Sequence, residues 1–254
     1  MTVKTFFVGL IASFALPWLA VVAVPYATMR AVEIPQFDEG NDGREGAYTP
    51  VKSGRVTDGS ELYGAEGCAQ CHSQLSRPTY AGNDLGRDGL AGFKKDPNRG
   101  NTMRESNLWD YDREPFAWLG ETRMGPDLGN FGRRMEVRAI LANEERAKEL
   151  GVKVDELPQA EKFNVETAVY THLYDPRAEN EKSICPSNKC FFKTEPVFGQ
   201  GAVHALPFKT ADGEQIVPGE KAQLLASYLL GLKRDGDVPY AMNHARDKKK
   251  ASAK

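Results

Sequence analysis

The chain carries almost no net charge: 33 lysines and arginines against 35 aspartates and glutamates leave −2 at pH 7. That balance excludes the concentrated basic surplus with which proteins neutralise phosphates, so composition offers no basis for binding nucleic acid. The sequence also lacks internal repeats and lacks any alternating apolar and polar run long enough to specify a strand. Aromatic residues make up only 9% and hydrophobic residues 41% of 254 positions, which suits one compact domain with additions rather than two full domains. Cysteines number four, and no methionine occurs between Met135 and Met242.

Two of the four cysteines stand in Cys68-Ala69-Gln70-Cys71-His72. This is the spacing at which two thiols add to the vinyl groups of one haem while the following histidine reaches its iron. A zinc site would need a second ligand pair, and the remaining Cys185 and Cys190 lie more than a hundred residues away. A redox disulfide would sit in a strand-helix-strand pattern that is absent here. One motif predicts one covalently bound haem c, with Cys68 and Cys71 as attachment points and His72 as the proximal ligand.

Only one long apolar run is present. Residues 6–29 contain no charged side chain and are enough to cross about 30 Å of hydrocarbon at about 1.5 Å per residue. A cleaved signal peptide would use Lys4 and the small residues at 20–23, but the run exceeds the usual apolar core of such peptides. Trp18 and Tyr26 resemble interfacial aromatics, so residues 1–30 read as a retained single-pass anchor, kinked at Pro17. Haem attachment and the polar bulk place the N-terminus inside and the haem domain on the outer, periplasmic side of the cell inner membrane.

Residues 31–59 are rich in Gly, Pro, Asp and Glu and read as an extended linker. From Ser60 a helix leads into the haem motif, with Leu62, Ala65 and the Cys68 region on one face and Asp58 or Ser60 as its cap. Residues 81–107, glycine-rich and charged, read as a long irregular loop. Helical periodicity returns at 135–150, then after Asn164, where Val165, Ala168, Val169, His172 and Leu173 recur at steps of three and four. A last helix follows Pro218, with Ala222, Leu225, Tyr228, Leu229 and Leu232 on one face. The expected architecture is all-α: one transmembrane helix and, over residues 60–236, a mono-haem cytochrome c domain with long loops. Residues 237–254 form a basic tail ending in Lys248-Lys249-Lys250-Ala251-Ser252-Ala253-Lys254.

The segment Glu66-Gly67-Cys68-Ala69-Gln70-Cys71-His72-Ser73-Gln74-Leu75-Ser76-Arg77-Pro78 resembles the signature of the mono-haem subunit II of cbb3-type cytochrome c oxidases. Further blocks follow in the same order. They are Arg113-Glu114-Pro115-Phe116-Ala117-Trp118, Arg123-Met124-Gly125-Pro126-Asp127-Leu128, His172-Leu173-Tyr174-Asp175-Pro176-Arg177, and the closing Val217-Pro218 helix through Leu230. The resemblance implies an electron-relay subunit rather than the catalytic one. It implies as partners the membrane, the catalytic and other cytochrome subunits of a respiratory complex, and an electron-donor carrier. It also implies that Pro126 packs the proximal side of the haem.

The chain departs from that pattern twice. A charged helix is inserted over residues 136–150, and Ser183-Ile184-Cys185-Pro186-Ser187 stands where the family has a Ser-x-Met-Pro motif supplying the sixth iron ligand. Cys185 could bind the iron as thiolate, lowering the potential relative to a His/Met pair. A Cys185 to Cys190 disulfide is the expectation in an oxidising compartment, with His204 as the best replacement ligand and Met124 as another. An open sixth position would suit binding of small ligands. Arg77, Arg123 and Arg177 are candidates for pairing with haem propionates, while Trp109, Trp118 and Phe116 read as packing residues. Competing functions are a membrane-tethered cytochrome serving another respiratory or photosynthetic complex, and a haem sensor or peroxidase-like enzyme with open iron.

Overall fold

The computed structural model describes residues 2–33, 36, 51–208, 210–236 and 238. The basic tail and most of the linker lie outside the described residues. The chain divides into two units, Met1–Pro50 and Val51–Lys254.

In the first unit, α1 (Val3–Trp18) and α2 (Val24–Arg30) are joined through a π turn, Leu19–Ala23, into one helix of 28 residues with an 18-residue stretch of mean hydropathy 2.3. Thr2 caps its start by accepting from the Thr5 amide. Pro17 lies in the last turn of α1, and Pro25 has no N–H to return to Val21; between them the ladder shifts register, with Val24 N–H bonding Leu19 O. The hydroxyls of Ser13 and Thr28 bond carbonyls of their own helix, to Leu10 at 2.7 Å and to Pro25 at 2.9 Å. By length and composition this helix is able to cross a membrane, and a signal sequence has the same properties.

The second unit is mostly helical. Helix α3 (Gly54–Ala65) packs on α8 (Glu220–Gly231), with the rings of Tyr63 and Tyr228 5.4 Å apart and each 1% exposed. Between them in sequence come α4 (Cys68–Cys71), α5 (Phe131–Leu150), α6 (Val165–Tyr174) and α7 (Pro176–Glu179). Leu225, Leu229, Val169, Leu173, Met135 and Leu128 meet in one apolar core. Helix α6 begins where expected, its Asn164 cap accepting from the Thr167 amide at 2.9 Å.

Three expectations change. Helix α3 starts at Gly54, so residues 54–59 are helical rather than linker, and Asp58 and Ser60 lie inside the helix rather than capping it. Packing of Val56 and Tyr63 into the core overrides the poor helix propensity of its glycines. The architecture is not purely helical either, because β1 (Phe192–Pro196) and β2 (Glu214–Pro218) form an antiparallel pair with Phe192 opposite Pro218 and Pro196 opposite Glu214. Helix α5 begins at Phe131, before the expected start at 135.

The irregular segment at 81–107 is braced by buried carboxylates. Asp84, 1% exposed, receives the Arg77 amide at 2.7 Å, the Arg77 guanidinium at 2.9 Å and that of Arg123 at 2.8 Å. Arg104 pairs with Asp110 at 2.5 Å, and Arg99 bridges Asp96 and Asp235 at 2.8 and 2.6 Å.

Candidate functional site

The Cys68 to His72 stretch is built by an interruption. Helix α3 closes on Glu66 N–H to Leu62 O, and Gly67, at φ 75°, turns the chain into the left-handed region before one new turn, α4. That turn carries Cys68 and Cys71, and its last bond is His72 N–H to Cys68 O at 3.0 Å. His72 then leaves in extended backbone, so two thiols and an imidazole emerge together from five residues.

A second strand of chain is laid along this turn. Glu121 N–H bonds Ala69 O at 2.9 Å, Gly125 N–H bonds Cys71 O at 2.9 Å, and Leu128 N–H bonds Ser73 O at 2.7 Å. Asp127 fastens the far end: its buried carboxylate accepts from Ser73 Oγ at 2.6 Å, Leu75 N–H at 2.8 Å and Gly129 N–H at 2.9 Å. His72 Nδ1 donates to Pro126 O at 2.8 Å, which leaves the Nε2 lone pair free to act as a ligand. Gly125 makes this approach possible, because a Cβ there would lie 2.2 Å from His72 Cε1.

These residues open onto a cavity of about 490 Å³. Its walls are largely apolar, with Leu128, Phe131, Met135, Val169, Leu173 and Leu225 among them, and Cys68, Cys71, His72, His172 and Cys185 also face it. This is the size and character expected of a cofactor site. No group of three or more metal-ligating side chains is found among the described residues; an iron held by a macrocycle needs only one or two protein ligands. The donor set fits a covalently held haem: two thiols on one turn, an oriented imidazole, and an apolar slot.

Cys185 is half-buried and lines the cavity together with His172 and His72. The neighbouring imidazoles, His172 first, draw the Cys185 thiol down to about 6. His172 is pushed up to about 9, first by Cys185 and then by Glu179, whose carboxylate lies 3.5 Å from Nδ1. Burial pushes the Cys68 thiol up to about 11.

The other expected site residues fall elsewhere. Cys185 lines the cavity, while Cys190 is exposed on the 3-10 turn Lys189–Phe191, and no bond joins the two in this structure. His204 does not line the cavity; its Nε2 lies 3.1 Å from Glu166 and its ring stands edge-on to Tyr170. Met124 does line it, beside Gly125 and Pro126 on the His72 wall, and is 61% exposed. Arg77 and Arg123 are committed to Asp84, and the exposed Arg177 does not face the cavity. Arg138, on α5, is the arginine that does, lying 5.1 Å above the Phe163 ring. Trp118 packs on Tyr63 and donates to Ser60 Oγ at 3.1 Å. The pairing of Asp127 with Ser73 spans 54 residues and the placement of Arg138 over Phe163 spans 25, and short-range periodicity carries no signal for either.

No protein-family model matches the chain, and no curated protein matches it.

Proposed function

We propose that this protein is a membrane-anchored mono-haem c-type cytochrome that relays electrons. The observation that carries the reading is the placement of Cys68 and Cys71 on one turn facing a cavity in which His72 is oriented by the Pro126 carbonyl. When bound, haem c supplies a one-electron ferric/ferrous couple. The chain's own part is mechanical and electrostatic. Cys68 and Cys71 tether the group, the Pro126 carbonyl fixes the His72 tautomer, and the apolar walls keep water from the centre. Arg138 is the arginine available to a propionate. Met124 and Ile184, 61% and 70% exposed, leave one edge of the cavity open to a partner.

We further propose that the helix Val3–Arg30 is a retained anchor, holding the second unit on the periplasmic side of the inner membrane, and that the chain serves as a subunit of a cbb3-like haem-copper oxidase. The ordered sequence blocks from the haem signature to the closing helix support the subunit reading. A tethered cytochrome serving a different membrane complex is the second reading. It is favoured by helix α5, which has no counterpart in the resembled pattern, and by the lack of any family match. Mild detergent purification of the tagged chain from its native membrane separates the two. Co-purification of a haem-copper catalytic subunit is expected; recovery with a different redox complex, or alone with full turnover by its donor, would overturn the oxidase assignment.

A further inference from the structure

Resting on the reading of the cavity as a haem site, we propose that Cys185 is the second axial ligand of the iron, bound as thiolate, and that His172 is its positioning residue. An iron between two axial ligands requires donors that face one another across the slot. Cys185 lines the same cavity as Cys68, Cys71 and His72, on the separate stretch Ser183-Ile184-Cys185-Pro186 that also borders it.

The loop that carries Cys185 is built to hold it there. Ser183 N–H bonds Asn180 O at 2.8 Å, Cys185 N–H bonds Ser183 Oγ at 3.3 Å, and Asn188 N–H returns to Leu173 O at 2.9 Å. That last bond fixes the loop to the end of α6, one residue from His172. His172 is in turn held by Glu179 of α7, 3.5 Å from its Nδ1, and lines the same cavity as Cys185. A hydrogen bond donated to a ligating sulfur withdraws charge from it, so His172 acts on the iron through Cys185.

The competing donors are otherwise employed. His204 is outside the cavity on Glu166. Met124 belongs to the His72 wall, chain-adjacent to Gly125 and Pro126. Met135 faces the cavity but is 6% exposed within the apolar core. Cys190 is exposed and leaves Cys185 unpaired. On ligation the S–H bond of Cys185 breaks, its proton leaves to solvent and an iron–sulfur bond forms, with no change in oxidation state.

The test uses the full-length haem-loaded protein in detergent. The ferric absorption and electron paramagnetic resonance spectra are expected to show a low-spin thiolate species that is lost in Cys185→Ser and unchanged in His204→Ala, Met124→Leu and Met135→Leu. In wild type, Cys185 is expected to react with iodoacetamide on the order of tenfold or more slowly than Cys190, because its sulfur is bound. His172→Leu is expected to shift the reduction potential downward while keeping the thiolate spectrum, with His172→Gln restoring part of the shift. A methionine-type near-infrared band in wild type, or a thiolate spectrum that survives Cys185→Ser, would overturn the ligand assignment. So would equal alkylation of Cys185 and Cys190, a readout that holds even where a variant fails to fold. A potential unmoved by His172→Leu would overturn the positioning role. Haem that separates from the denatured chain is a different failure, that of the cytochrome reading itself.

Discussion

Gly125 lies against the ring of His72 so closely that a Cβ built on it would stand 2.2 Å from Cε1, 2.6 Å from Nδ1 and 2.8 Å from Nε2. Glycine is thus the residue that lets the Met124-Gly125-Pro126 backbone reach the imidazole and present the Pro126 carbonyl to it. Gly125→Ala is expected to push the ring off that hydrogen bond. The proposed thioether links would not depend on it, so haem is expected to stay attached while the ferric spectrum shifts from low to high spin. Wild-type spectra in Gly125→Ala would show that the ring position is not set by this contact.

Asp84 is the electrostatic centre of the long irregular segment. Burial opposes its charge, and hydrogen bonds from Arg77 and then Arg123 overcome that opposition, holding its carboxyl well below the ordinary range. A carboxyl depressed in the folded state contributes stability that is fully present above its unfolded value near 3.9 and is lost as pH falls through the folded one. Asp84→Asn is therefore expected to be destabilised at pH 7 by about 1–3 kcal/mol, since Arg77 and Arg123 are partly exposed and can rehydrate. The deficit relative to wild type should shrink only below about pH 4. Urea unfolding at pH 7 and pH 3 checks both the sign and the window; a deficit constant down to pH 3 would place the stabilisation elsewhere.

Mass spectrometry of the mature chain is expected to find residues 3–30 intact, in a protein that stays with the membrane after alkaline washing. The helix is long enough, and its Ser13 and Thr28 hydroxyls are bonded to carbonyls of the same helix rather than left for the bilayer. A mature start near residue 24 would identify a cleaved signal sequence instead.

The helices were readable from local pattern, because α6 and α8 show their buried faces at steps of three and four and α6 has Asn164 as a cap. The hairpin was not. Strand β1 is exposed at four of five positions and the buried end of β2 is a continuous run, so neither alternates. Helix α3 was placed too late because Gly54, Asp58 and Gly59 look like linker, and only packing against α8 makes them helical. At the site, the motif and the family resemblance point to Cys68, Cys71, His72 and Pro126, and the structure brings these four to one cavity. What decides the remaining residues is tertiary: Asp84 claims Arg77 and Arg123, Glu166 holds His204, and Cys185 lines the cavity while Cys190 is exposed.

Haem detection on the denatured chain tests most directly whether Cys68 and Cys71 each hold the haem covalently. Protein isolated from the native membrane, run under denaturing conditions and stained for haem peroxidase activity, should keep its stain at the mass of the chain. Alkaline pyridine should report one c-type haem per polypeptide. Cys68→Ala with Cys71→Ala should abolish the stain. Haem that migrates away from wild-type protein on denaturation, or bound zinc in its place, would exclude covalent attachment at Cys68 and Cys71.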